Sequence, residues 1–108
     1  MRNRNIVKKS SLDLLVTALC ADFGRRERVI KAGEASRRTL TEFRYLNFKI
    51  LEAVGDLVEE RYVRLFIKEI GENIGYANSQ IDIYCESVYK SLKKEIKNNI
   101  AKKLYLFD

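Results

Sequence analysis

The chain has no proline, no histidine, and only five glycines among its 108 residues. With no proline to remove a backbone donor and few glycines to loosen the backbone, long helices meet few breakers. The missing histidine takes away the commonest general base and the commonest metal ligand. Two isolated cysteines, Cys20 and Cys85, do not make a zinc site, which ordinarily takes four ligands in paired spacings. Gly71-Glu-Asn-Ile-Gly75 lacks both the pattern and the preceding strand of a dinucleotide or phosphate loop. Glu59-Glu60 and Glu69/Glu72 are expected on exposed helix faces, as solvated charges rather than metal ligands. No segment alternates with period two over a useful length, so no sheet is expected. These absences argue against an enzyme, a metal centre and a cofactor.

What is present suits one small domain over residues 1–108. Apolar residues make up 46% of the chain, enough for a modest core. The apolar run LDLLVTALCADF carries Asp13 and is too short to span a bilayer, so no membrane partner is expected. Two thiols in a helical chain without a signal peptide read as buried and reduced, hence a cytoplasmic protein.

Net charge is +6, unevenly spread. Residues 1–40 carry ten Lys or Arg against four Asp or Glu, residues 41–86 five against nine, and residues 87–108 six against two. Basic ends flank an acidic middle. Such ends suit a polyanion, although lysine-rich helix surfaces are common in any case.

Residues 1–9 read as a basic arm. Ser10 and Asp13 stand at capping-box spacing, predicting a helix from near Ser11. Leu12, Leu15, Leu19 and Phe23 would form its buried stripe, the run GRRER would continue it, and Gly33 would stop it. Thr39 and Glu42 form a second capping pair, followed by a stripe of Phe43, Leu46, Ile50, Val54 and Leu57. Gly55-Asp56 is the expected break, with Asp56 capping a third helix. Val63, Phe66, Ile70 and Ile74 line that helix, and Gly75 ends it. Ser79 can cap the last helix, whose apolar positions are Val88, Leu92, Ile96, Ile100 and Leu104. A fresh start at Ser87 is the alternative. The fold class expected is all-α, with four to five helices, a helix-turn-helix and a long C-terminal helix.

The helix-turn-helix rests on Ile67 to Glu86. Small Gly71 would let the second helix approach the first, and Gly75 would turn the chain by taking positive φ. Ile70, Ile74, Tyr76, Ile81 and Tyr84 would hold the pair together. With the recognition helix starting at Ser79, Asn78, Ser79 and Gln80 reach base edges or phosphates, Gln80 being suited to adenine. Lys90, Lys93, Lys94 and Lys97 would hold phosphates further along. Arg2, Arg4, Lys8 and Lys9 would act as an arm on the backbone or in the minor groove. One feature opposes this placement. Ile67–Glu86 carries one lysine against Glu69, Glu72, Asp82 and Glu86, whereas phosphate neutralisation supplies most DNA affinity.

From Leu40 onward, ILEAVGDLVEERYVRLFIKEIGENIGY and SVYKSLKKEIKNNIAKKLYL resemble the small late-transcription regulators of phages of Gram-positive bacteria, of the ArpU and RinA type. These are similar in turn to the fourth region of bacterial sigma factors. The matching positions are Glu69-Ile70-Gly71, Ile74-Gly75-Tyr76, Tyr89, Lys90, Lys93, Lys94 and Ile100-Ala101-Lys102-Lys103-Leu104. The resemblance covers about two thirds of the chain. It departs at Cys85-Glu86-Ser87-Val88, where the family usually shows a Ser-Glu-Arg-Thr-like start to its recognition helix. The arginine is missing here, and the register, from Ser79 or from Ser87, stays open.

The resemblance implies a sequence-specific DNA-binding regulator, expected as a homodimer, with DNA and RNA polymerase or another protein as partners. Two other readings fit the composition. One is a phage-encoded inhibitor whose acidic middle, with Glu69, Glu72 and Asp82, occupies a basic nucleic-acid-binding surface. The other is a helical module whose basic ends bind RNA without sequence preference.

Overall fold

The computed structural model describes the backbone of residues 9–104 and the side chains of residues 11–104. The described residues form five α-helices and no strand: α1 (Lys9–Ala21), α2 (Phe23–Ala32), α3 (Arg37–Gly55), α4 (Glu60–Gly71) and α5 (Glu86–Lys103). A single 3-10 turn, Tyr76–Asn78, interrupts the α4–α5 connection. None of the described helices is long and apolar enough to cross a membrane.

The first expected helix is divided. A break at Asp22 separates α1 from α2, and the Asp22 carboxylate grips Arg25 through two 2.7 Å bonds. Gly33 ends α2 at φ 67°, its N–H donating to the Val29 carbonyl at 3.0 Å. That left-handed stop is the one the sequence predicts. The cap of α3 is Ser36 and not Thr39: Ser36 Oγ accepts from the Thr39 N–H at 3.1 Å. Asp56 closes α3 instead of opening α4, and Glu59 precedes α4 with no side-chain cap.

The core gathers the apolar stripes of all five helices. Val16, Cys20, Phe23, Ile50, Val54, Val63, Phe66, Ile70, Ile96 and Ile100 are buried. Removing such a side chain from water contributes roughly 1.5–3 kcal/mol each. The stripe of α1 is rotated from the expected one, since Val16 and Cys20 face inward while Leu15 is exposed. At the other end of the chain, Val88 is exposed and Tyr89 takes the inward position.

Three polar side chains join this core, and each is satisfied. The Arg26 guanidinium donates to Asn47 Oδ1 at 2.7 Å and to the Leu19 carbonyl at 2.5 Å. Asn47 in turn donates to the Phe23 carbonyl at 3.3 Å, so the pair ties α2 to α3. Glu69, the third, sits beneath the α4–α5 connection. Burial without such partners would cost several kcal/mol for a charge.

Candidate nucleic-acid interface

The α4–α5 segment does not form the tight helix-turn-helix expected. Residues 72–85 separate the two helices, and no helix starts at Ser79. α4 stops in a Schellman turn. The Ile74 N–H reaches back to the Glu69 carbonyl at 2.9 Å, and the Asn73 N–H to the Ile70 carbonyl at 3.2 Å. The left-handed position is Asn73, at φ 56°. Gly75 has φ −86° and needs no glycine for its conformation. Asparagine tolerates this region because its short polar side chain bonds locally.

Gly71 does serve close packing, but against a different helix. A Cβ there would lie 2.6 Å from the Ala21 nitrogen, 2.7 Å from the Ala21 Cα and 2.8 Å from the Cys20 carbonyl carbon. The small residue admits the end of α1, not the helix that follows the turn.

Glu69 organises the connection. It is 1% exposed, contrary to the solvated carboxylate expected. Its Oε1 accepts from Ser79 Oγ and from the Tyr89 hydroxyl, both at 2.6 Å. Its Oε2 accepts from the Gln80 backbone N–H at 2.7 Å. Ser79 Oγ also accepts from the Ile81 N–H at 2.9 Å. Ser79 is thus a structural tie rather than a helix cap or base reader. Ile81 is buried beside it, while the Asn78 and Gln80 side chains are exposed. These two lie in the connection and not on a recognition helix.

The register that forms is the later one. α5 begins at Glu86, and Cys85, at the cap position, places its Sγ 3.4 Å from Ser87 Oγ. That contact holds the Cys85 thiol below its ordinary pKa. Both cysteines are free thiols, but only Cys20 is buried as expected; Cys85 is exposed. Burial pushes Cys20 up to about 12, offset in part by the Arg26 and Lys97 charges.

The four lysines assigned to phosphate contact all lie on α5, and their circumstances differ. Lys90 pairs with Glu86 at 2.7 Å. Lys97 donates to Asp13 of α1 at 3.1 Å. Lys93 is half-buried and donates to the Ile74 carbonyl at 2.6 Å. Burial lowers its pKa, the nearby Lys97 charge adds to this, and Glu69 opposes it. Lys94 is exposed and forms no ion pair with a described carboxylate. All four line a groove of about 770 Å³ between α1, α5 and the 76–78 turn, with Leu12, Val16, Tyr76 and Tyr89 on its apolar side.

Ser87, Lys90, Ser91, Lys94 and Asn98 are exposed and spaced at i, i+3, i+4, i+7 and i+11, which puts them on one outer face of α5. Ser87, Ser91 and Asn98 are not among the contact residues expected from the sequence, which were placed for a recognition helix starting at Ser79, one of its two open registers. Arg2, Arg4 and Lys8 lie outside the described residues, and Lys9 opens α1. Among the described residues no three metal-ligating side chains gather.

Neither a protein-family model, nor a curated protein, nor a solved structure matches this chain.

Proposed function

We propose that this chain is a cytoplasmic DNA-binding regulator of the phage late-transcription type, with α5 as the element that meets the duplex. The observation that carries this reading is the outer face of α5, where Ser87, Ser91 and Asn98 alternate with Lys90 and Lys94. Short hydroxyl and amide side chains can approach base edges or phosphates, and lysines neutralise phosphates. The helix carries six lysines against Glu86 and Glu95. Of the four acids that opposed DNA binding, Glu69 is buried in α4, Glu72 and Asp82 lie in the α4–α5 connection, and Glu86, which opens α5, is paired with Lys90.

The acidic-inhibitor reading loses one of its three named carboxylates, Glu69. Glu69 is buried, Asp56 is engaged by Asn99 and Lys103, and Glu52 faces Lys49 and Lys103. Glu72 and Asp82, the other two acids of that reading, are exposed and form no ion pair with a described cation, so that reading keeps them as its contact residues.

A homodimer and a contact with RNA polymerase belong to the proposal, since two recognition helices on two half-sites give the affinity that one small helix lacks. The test is fluorescence anisotropy with labelled duplex across salt concentrations, for the parent chain and for Lys94→Gln. Binding that falls steeply with salt, with a slope reduced by about 1 in the variant, supports the reading. Absence of duplex binding at low salt would overturn it.

A further inference from the structure

We propose that the outer face of α3, with the facing side of α2, is a second and independent nucleic-acid surface that takes single-stranded rather than duplex nucleic acid. Arg37, Thr41, Arg44 and Phe48 are all exposed and spaced at i, i+4, i+7 and i+11, so they form one stripe along α3. Phe48 is 58% exposed and Tyr45, three residues before it, is 45% exposed. Beside the stripe runs a groove of about 650 Å³ between α2 and α3, which Arg28, Lys31, Arg44 and Phe48 share.

The charge balance of this face selects an anion. No described carboxylate pairs with Arg28, Lys31, Arg37 or Arg44, whereas the neighbouring acids are already engaged. Glu27 is held by Arg64 at 2.6 Å and Glu42 by Arg38 at 3.5 Å. Glu34, in the loop between the helices, is the exposed acid left over.

The aromatics select the form of that anion. The Lys49 ammonium, which also faces Glu52 at 3.6 Å, lies 5.8 Å from the Tyr45 ring centre and 5.9 Å from that of Phe48, so a cation stands beside both rings, while Ile30 and Leu51 line the groove next to Phe48. Exposed rings interleaved with unpaired guanidinium groups are the elements of a stacking platform with a phosphate track. Bases in a duplex are already stacked on each other, so such rings favour an unpaired strand. This surface shares no residue with the α5 face, and the proposal stands whether or not α5 binds duplex.

The experiment is fluorescence anisotropy with labelled single-stranded DNA of mixed sequence, and RNA of the same sequence, against the full chain. Binding of either strand by the parent chain is expected. Phe48→Leu keeps the apolar volume and removes the π face, and should weaken binding about tenfold. Phe48→Trp should keep it. Arg44→Gln should lower the salt slope by about 0.7, as one lost phosphate contact on a single strand. Lys94→Gln should leave single-strand binding unchanged. Three results would overturn the proposal: no binding of either strand at low salt, Phe48→Leu binding as well as the parent, or duplex affinity falling as far as single-strand affinity in Phe48→Leu. Because Phe48 is exposed, both variants should keep the parent's circular dichroism and urea midpoint, which separates lost binding from lost folding.

Discussion

The Tyr89 hydroxyl donates to Glu69 Oε1 at 2.6 Å, and both side chains are 1% exposed. This bond joins the last turns of α4 to the first turn of α5 across the whole irregular connection. Tyr89 also stacks on Phe66 of α4, with ring centres 5.9 Å apart, and meets Tyr76 of the 3-10 turn at 5.6 Å. One carboxylate and one aromatic ring therefore fix where α5 begins. Tyr89→Phe keeps the ring and removes one donor, and should cost about 1–3 kcal/mol in urea unfolding. Glu69→Ala strands the Tyr89, Ser79 and Gln80 donors together and should cost more, roughly 3–5 kcal/mol.

The same tyrosine makes stability fall in alkali. Burial, reinforced by the bond to Glu69, pushes Tyr89 from 10.0 up to about 12. Cys20 is pushed from 9.0 up to about 12. The unfolded chain gives up these protons first, so the stabilisation they mark is complete below about pH 9 and is lost as pH rises towards 12. Lys93, whose pKa is lowered, works in the opposite direction. Urea midpoints measured from neutral pH to pH 12 should fall, with Tyr89 and Cys20 contributing roughly 1–3 kcal/mol each. The fall above pH 10 should be shallower in Tyr89→Phe.

Two glycine-to-alanine substitutions in helices should differ in sign. Gly71→Ala places a Cβ within 3 Å of the Ala21 and Cys20 backbone, which cannot move as a side-chain tip can. A loss of about 1–3 kcal/mol is expected despite the better helix propensity of alanine. At the end of α3, an added Cβ at Gly55 meets nothing within 4 Å. Gly55→Ala should gain about 0.5–1 kcal/mol. Thermal or urea unfolding of the two variants side by side checks the contrast.

Asn73 tests the turn that replaces the expected glycine hinge. Its φ of 56° suits glycine or asparagine. Asn73→Gly should leave stability within about 0.5 kcal/mol of the parent, and Asn73→Ala should cost about 1 kcal/mol, in the same unfolding assay.

Lys93 and Lys94 are neighbours in sequence with separate duties. Lys94→Gln should weaken duplex binding and leave the urea midpoint unchanged. Lys93→Met removes the donor to the Ile74 carbonyl, and should lower stability by about 1 kcal/mol or more. Measuring affinity and stability on both variants separates phosphate contact from support of the connection.

The helical class, the stop at Gly33, the break near Gly55 and the apolar stripes of α3, α4 and α5 were legible in the sequence, because each depends on local spacing or on a glycine's own conformational freedom. The division of α1 from α2 was less so. Asp22 is a residue type that can precede a helix, but its side chain makes no cap bond and the apolar spacing runs on through it; the break lets Phe23 and Arg26 turn inward together. The candidate site was partly legible. The sequence places the lysines on the last helix, but it leaves that helix's start between two registers and reads Glu69 as a solvated charge.

Local composition alone determined that this chain makes amphipathic helices with basic ends, since helix periodicity and charge are properties of short segments. Only the tertiary structure decided that Gly71 meets α1, that Glu69 is buried and fully bonded, and that α5 starts at Glu86. A carboxylate becomes a core residue only when donors distant in sequence converge on it. Ser79, Gln80 and Tyr89 do so ten to twenty residues further along the chain.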